Sequence, residues 1–301
     1  MHHFDFLGKA KYFIPISIAL VLISWLLLIP SVRGLNPGID FTGGTEFTVD
    51  FPNPVSTAEV RSLLASIPSP IDLSKSVIQD VAGKNRKVIT TQLDVEDNQD
   101  TINRIESKLK DQFNVKGEDV SRRSIGQQIS KELTEKGWQA ILLALVVVLI
   151  YVSWRFRLRY AVGAVVALIH DVSIALGIFA LFHIEINLPT IAAFLTVIGY
   201  SLNDTIVIFD RVRENIKLER KSSVFDIINK SVNQSLSRTM NTSLTTFIPV
   251  IILFLFGGSV LRGFSLALLI GVIVGTYSSM YIANPIVYGW TLRTAKAKKH
   301  K

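Results

Sequence analysis

Six stretches of the chain are apolar over roughly the length of a bilayer crossing. A membrane-spanning α-helix needs about 20 predominantly apolar residues. The predicted spans are residues 12–30, 138–154, 160–182, 189–209, 237–256 and 263–290. A signal peptide is the competing interpretation of the first stretch. No small-residue cleavage site follows Pro30, which favours a retained transmembrane helix.

Residues 35–137, between the first two spans, carry the shorter patterns of a water-soluble domain. Alternating or β-branched stretches predict strands over 45–51, 73–81, 87–93 and 119–125. Helices are predicted over 57–67, where Ser56 and Glu59 fit a capping box, and over 98–112. A turn is predicted at 82–85, and 126–137 predicts a polar helix that enters the second span. The order βαββαβ is typical of a ferredoxin-like α+β sandwich.

The uneven distribution of charge predicts the orientation in the membrane. Residues 31–137 hold 14 of the 32 Lys and Arg residues and 16 of the 24 Asp and Glu residues, so the excess positive charge lies elsewhere. With both termini in the cytoplasm, 17 of the remaining 18 basic residues fall on the inner side, and only Arg262 is external. The basic balance of +8 therefore indicates a membrane protein whose short cytoplasmic loops hold the Lys and Arg residues, rather than a nucleic-acid-binding protein.

The predicted fold class is a polytopic α-helical membrane protein with six transmembrane helices and one extracytoplasmic ferredoxin-like domain between helices 1 and 2. Residues 1–34 would form the cytoplasmic N-terminus and helix 1, and residues 35–137 the extracytoplasmic domain. Residues 138–290 would hold helices 2–6, with a cytoplasmic loop at 210–236. Residues 291–301 would form a basic cytoplasmic tail.

The fourth span contains an acidic residue, Asp204, with Asn203 beside it. Asp204 lies five residues from the centre of the span, or roughly 7–8 Å along a helix. A carboxylate at that depth costs on the order of 2.5–3.5 kcal/mol. A basic partner, a file of water or a bound proton must offset this cost, so Asp204 is the first candidate for a functional centre.

Two further polar residues are candidates for the same path. In the fifth span eight of the ten residues 237–246 are polar, and Arg238 is placed where it can approach Asp204. Alternatively, Arg238 extends to the interface and contacts lipid headgroups alone. Asp171, at the middle of the third span, either belongs to a proton path or makes a structural hydrogen bond between helices.

The absence of several motifs argues against an enzyme. The chain has no cysteine, which excludes disulfides, zinc–thiolate sites and thiol catalysis. It has no P-loop lysine motif, no zinc-type His-Glu spacing and no serine nucleophile elbow. We therefore expect no catalytic residues, cofactor or metal.

Several segments, in the expected order, resemble the SecD/SecF family of bacterial protein-export membrane proteins, which belongs to the resistance-nodulation-division superfamily. They are GIDFTGG at 38–44, LIHD at 168–171, GYSLNDT at 199–205 with FDRVREN at 209–215, and LSRT at 236–239 with TSLTT at 242–246. The 199–215 segment is the most specific to the SecF side of the family, whereas GIDFTGG is shared with SecD. The resemblance covers nearly the whole chain.

This resemblance implies a function in the Sec pathway. The chain would form half of a pseudo-symmetric twelve-helix complex with SecD. That complex would use the proton gradient to help the SecY translocon and the ATPase SecA move unfolded polypeptides across the membrane. The family's proton path would correspond to Asp204 and Arg238 here, with a further aspartate supplied by SecD. Membrane lipids would be the other partner, and no nucleic acid would be bound.

Two other functions remain open. The chain could be half of a proton-coupled small-molecule or lipid exporter of the same superfamily. Such exporters normally fuse both halves and carry larger external domains, so a six-helix chain fits a partnered subunit better. Alternatively, the chain could be a passive assembly scaffold in which every intramembrane polar residue is structural.

Overall fold

The structure, a computed structural model, describes residues 4–81, 85–219 and 221–299. The helices are α1 (Phe6–Leu28), α2 (Ile39–Thr42), α3 (Thr57–Ala65), α4 (Val95–Phe113), α5 (Gln127–Arg155), α6 (Leu158–Leu181), α7 (Leu188–Leu218), α8 (Val224–Phe256), α9 (Gly258–Ser278) and α10 (Asn284–Lys299). The strands are β1 (Asn36–Pro37), β2 (Gly44–Asp50), β3 (Val77–Val81), β4 (Arg86–Thr91), β5 (Val120–Ile125) and β6 (Glu185–Ile186).

The chain divides into two compact units. One, called the membrane unit below, consists of Met1–Asn36 and Gln139–Lys301. The other, called the α+β unit, consists of Pro37–Trp138. Within the described residues, six helical segments are long and apolar enough to cross a membrane, which confirms the predicted fold class. They are Phe6–Leu28, Gln127–Arg155, Leu158–Leu181, Leu188–Leu218, Val224–Phe256 and Leu261–Thr294.

The membrane unit has a buried centre and an exposed periphery. In α6, in α7 and in the α9–α10 segment, at least half of the residues in the most apolar part of the helix are buried. In α1, α5 and α8, the buried share of that part is about a tenth or less. Small residues let the central helices approach closely. A Cβ atom placed on Gly271 of α9 would lie 2.2 Å from a methyl group of Val197 on α7. The central helices therefore fix the positions of the polar residues between them.

The sixth span contains a π-helical turn that periodicity did not predict. Residues Ser279–Ala283 form this turn between α9 and α10. The Asn284 side chain donates a 2.6 Å hydrogen bond to the Ser279 carbonyl oxygen. Such turns add one residue to a helix and often occur at functional sites.

Most of the predicted connection at 210–236 is helical in the structure. Helix α7 continues to Leu218, and α8 begins at Val224, where the Ser223 side chain accepts a hydrogen bond from the Asp226 backbone N–H. Residues 219–223 connect the helices, and Arg220 lies outside the described residues. The charged segment is helical because it buries an apolar face, which includes Ile227 and Ile228.

The α+β unit, Pro37–Trp138, has the predicted βαββαβ order. Its antiparallel sheet has the strand order β3-β4-β2-β5, which is the ferredoxin-like arrangement. Helices α3 and α4 supply apolar side chains to its core, and Ile102, Ile105 and Leu109 of α4 are fully buried. Ser56 and Glu59 form the predicted capping box, and the hydrogen bonds from Ser56 hold the pKa of Glu59 below its usual value.

The second predicted strand is shorter than expected. Residues Leu73–Lys75 form a 3₁₀ turn, because the Asp72 side chain accepts a hydrogen bond from the Ser74 backbone N–H, and β3 begins only at Val77. This local capping competes with extended structure. Residues 82–84 of the predicted turn lie outside the described residues.

The GIDFTGG segment has a structural explanation in the same unit. Gly43 and Gly44 have φ angles of 71° and 116°, a region that disfavours side chains. A Cβ atom on Gly44 would lie 2.2 Å from the Thr91 carbonyl oxygen. Just before them, the buried Asp40 carboxylate forms an ion pair with Arg123 of β5. The two glycines therefore allow the chain to pass from α2 into the centre of the sheet.

Candidate proton-transfer site

Asp204 lies in the interior of the membrane unit, on the face of α7 that packs against α8. The residue is 2% exposed. The Thr242 hydroxyl donates a 3.3 Å hydrogen bond to one carboxylate oxygen, and the Ser243 hydroxyl donates a 3.5 Å bond to the other. Both bonds are long for O–H donors, so the carboxylate is held weakly by neutral groups.

The hydroxyl contacts of Asp204 continue to a third helix. Ser243 and Thr276 of α9 form a 2.6 Å hydrogen bond between their hydroxyl groups. One turn before Ser243, the Thr239 hydroxyl is buried and has no hydrogen-bond partner among the described residues. Thr239, Thr242 and Ser243 in the polar half of α8 thus turn their hydroxyl groups inwards, which lowers the cost of carrying polar residues into the membrane.

The structure places Arg238 near Asp204 without a direct ion pair. Arg238 is exposed, and it is on the same helix as Thr242 and Ser243, whose hydroxyl groups contact the Asp204 carboxylate. Among the described side chains, no ion pair within 4.0 Å joins these two residues. Arg238 lies one helical turn before Thr242, so a change of rotamer can alter the distance between the two charges.

Asn203 is on a different face of α7 from Asp204. It is exposed, on the same stripe as Ala192, Thr196 and Gly199. A Cβ atom on Gly199 would have no neighbour within 4 Å. Among the described residues, no hydrogen bond joins the Asn203 side chain to the Asp204 site.

Asp171 lies in a second buried polar cluster. It is fully buried and accepts hydrogen bonds from the hydroxyl groups of Ser201 on α7, at 2.6 Å, and Ser278 on α9, at 2.8 Å. The Nδ1 atom of His170 lies 2.9 Å from its other oxygen. The His170 ring stacks on Tyr277, with 5.9 Å between ring centroids. This cluster connects the three central helices.

Sequence reasoning missed the hydroxyl groups that surround both carboxylates. Four of them contact a carboxylate directly, and they are Ser201, Thr242, Ser243 and Ser278. Ser201 precedes Asp204 by three residues, and hydroxyl groups at helical spacing beside an intramembrane acid are the signal that identifies them. The residues described by the structure contain no group of three His, Asp or Glu side chains that could hold a metal ion.

Comparison with known families gives two matches. The family described as the protein export membrane protein SecD/SecF, C-terminal, matches residues 104–293, and the SecD/SecF GG motif matches residues 29–55. The chain belongs to the SecD/SecF protein-export family. This SecD/SecF chain is accordingly a multi-pass membrane component of a transport system.

Relatives of this SecD/SecF chain match along its whole length. It is 42% identical to the protein translocase subunit SecF of Petrotoga mobilis, over 99% of this chain and all of the relative. It is 44% identical to the SecF subunit of Magnetococcus marinus, over 95% of this chain and 91% of the relative. Both relatives are named as single subunits.

A solved structure connects the chain to SecD. The crystal structure of SecDF from Thermus thermophilus superposes with a TM-score of 0.87 at 36% identity, over 96% of this chain. This chain spans only 39% of the SecDF chain. The relative therefore joins a SecF-like part and a longer part in one polypeptide, which supports SecD as the partner of this SecD/SecF chain.

Proposed function

We propose that this chain is a SecF-type subunit that acts with SecD to promote protein export across the bacterial cytoplasmic membrane, and that protons drive it through Asp204. Family membership and the full-length similarity to SecF subunits support the export function. The observation that carries the proton coupling is the buried Asp204 carboxylate, whose hydrogen bonds from the described residues come from two neutral hydroxyl groups, at 3.3 and 3.5 Å.

The proton cycle follows from the charges around Asp204. When the carboxylate is ionised, it attracts the Arg238 guanidinium, which lies within electrostatic range. When the carboxylate binds a proton, that attraction is lost, and the O–H group can donate to the hydroxyl oxygen of Thr242 or Ser243. Each cycle therefore changes the contacts between α7 and α8.

The energy available from one proton is sufficient to shift a conformational equilibrium. A proton that crosses 100 mV releases about 2.3 kcal/mol. Each pH unit of gradient adds about 1.4 kcal/mol. A free-energy difference of this size changes the population ratio of two conformations roughly fiftyfold or more. It can therefore reverse the preference between conformations that differ by a few kcal/mol.

The exposed polar face of α7 and α8 supports a helical partner in the membrane. Asn203 and Thr196 on α7 are exposed, and so are Arg238, Asn241 and Thr245 on α8. Polar side chains that face hydrocarbon are costly, so we infer that SecD covers this face and brings Asn203 into the proton path. Asp171 would serve the same path from the bundle interior.

We further propose the orientation and the remaining partners. The N- and C-termini are cytoplasmic, and residues 35–137 form the extracytoplasmic domain. This domain acts on the unfolded exported polypeptide as it leaves the SecY translocon, to which SecA delivers it. Helix α5 runs continuously from Gln127 to Arg155, and it would transmit the rearrangement at Asp204 to that domain. The chain is a transport component rather than an enzyme.

Replacing Asp204 tests the proposal directly. The D204N chain, expressed with SecD, should assemble normally but lose the part of secretion that depends on the proton gradient. A matched control is D210N, on the same helix, because Asp210 is half-exposed and pairs with Arg155. Full gradient-dependent secretion by D204N, or equal loss in D210N, would contradict the proposal.

A further inference from the structure

A cavity lined by basic and aromatic side chains lies at the corner where α5 ends and α6 begins. Its volume is 390 Å³, within the range of about 300–1,000 Å³ found for ligand sites. The cytoplasmic extension of α7, which the sequence did not predict as helix, forms its other wall. Five basic side chains line it, and they are Arg155, Arg157, Arg159, Arg213 and Lys217.

Most of this positive charge is not neutralised by the residues that the structure describes. Arg155 pairs with Asp210 at 3.2 Å. Among the described residues, no ion pair neutralises Arg157, Arg159, Arg213 or Lys217. The nearby acid Glu214 is occupied by Arg211, at 2.6 Å. The Nε atom of Arg159 is buried and has no hydrogen-bond partner within the described part of the chain.

The backbone at the start of α6 and the aromatic residues beside it also suit an anion that lies at the membrane–water interface. No side chain of the described residues caps the first turn of α6. The Tyr160 N–H donates to the Arg157 carbonyl oxygen, so the N–H groups of Leu158 and Arg159 and the positive end of the helix dipole remain available to an anion. Trp154 is 84% exposed and lies beside the basic groups, and Tyr160 packs under the Arg159 guanidinium. Aromatic side chains of this kind occupy the headgroup level of a bilayer.

We infer that this cavity binds the phosphate of an anionic phospholipid headgroup. Guanidinium groups bind phosphate oxygens through paired N–H donors, which explains the excess of arginine over lysine. Basic cavities between transmembrane helices are suited to anionic headgroups. The acyl chains would then lie along the exposed apolar face of α5. The inference is independent of the proton path, because no residue of that path lines the cavity.

Native mass spectrometry of the full-length chain in detergent tests the site. Phosphatidylglycerol should bind more tightly than phosphatidylcholine. The variant R157Q/R213Q/K217Q should weaken phosphatidylglycerol binding about fivefold for each charge removed. The matched control K9Q/K11Q/R293Q removes the same charge from exposed positions outside the cavity, and it should bind like the parent.

Three outcomes would overturn the inference. Unchanged binding by the cavity variant would exclude the site, and equal loss in the control would show an effect of net charge alone. Displacement of the lipid by inorganic phosphate at low millimolar concentration would identify a free phosphate as the ligand. If the triple variant unfolds, R157K/R213K decides the matter, since it keeps the charge and should retain phosphatidylglycerol binding above that of R157Q/R213Q.

Discussion

Ser201 of α7 donates a 2.6 Å hydrogen bond to Asp171 of α6, one helical turn before Asp204 on the same helix. Asp171 and Asp204, both buried in the membrane unit, are therefore linked through one short segment of α7. Ser278 of α9 also donates to Asp171, at 2.8 Å. A shift of α7 that changes the surroundings of Asp204 must also strain or break the bond between Ser201 and Asp171.

Two neutral replacements of Asp171 should isolate the contribution of its hydrogen bonds to stability. D171N keeps hydrogen-bonding capacity toward the two serines, whereas D171L leaves their hydroxyl groups and His170 without that partner. Each buried polar group left unsatisfied costs about 1–3 kcal/mol, so D171L should unfold at a clearly lower temperature than D171N. Thermal unfolding in detergent measures this, and equal transition temperatures would contradict it.

Arg238 should be required as a charge. R238K keeps the cation and should retain gradient-dependent secretion in part, whereas R238Q should reduce secretion to the level measured without a gradient. R262Q is the matched control, because Arg262 contacts the Phe254 ring at the opposite end of α8. Secretion assays with and without an uncoupler measure these effects. Normal coupling in R238Q would assign Arg238 to the lipid interface.

Gly177 should be essential for the packing of α1 on α6. A Cβ atom there would lie 2.8 Å from the Cα atom of Ser24, so no side-chain rotation relieves the clash. We expect G177A to cost about 1–3 kcal/mol of stability. G289A is the control, because a Cβ on Gly289 has no neighbour within 4 Å. Similar unfolding temperatures for both variants would disprove this packing argument.

The contributions of two carboxylates in the α+β unit to folding stability should change with pH in opposite directions. Burial raises the pKa of Glu46, although Arg123 partly opposes this effect. A raised pKa means that stability present at acid pH is lost as the pH rises through the folded-state value. E46Q removes this loss, so its β2 amides should be better protected than those of the parent at pH 7 and equally protected near pH 4.

Glu59 supplies the opposite case in the same domain. Hydrogen bonds from Ser56 lower its pKa, so its contribution to stability is present above its unfolded-state pKa and is lost as the pH falls through the lowered value. E59Q should therefore weaken amide protection in α3 at pH 7, with a smaller difference at acid pH. Hydrogen–deuterium exchange of the full chain, compared at matched pH, measures both variants. A common sign would contradict these pKa assignments.

The apolar spans and the βαββαβ order could be predicted because each depends on local periodicity. The helical character of 210–236 could not, because it depends on a tertiary surface that buries Ile227 and Ile228. Asp204, in contrast, could be identified from its depth in an apolar stretch of the sequence. The partners of Asp204 could not be identified, because they depend on how α7 and α8 pack and on which hydroxyl groups of α8 then face α7.

The extra residue in the π-helical turn at 279–283 determines which way each side chain of α10 points around the helix axis. One residue corresponds to about 100° of rotation in an α-helix. Beyond the turn, Val287 reaches to within 3.1 Å of a Cβ position on Gly163. Removing a single residue there would rotate Val287 about 100° away from Gly163, so we expect the last helix to tolerate substitutions far better than changes in length.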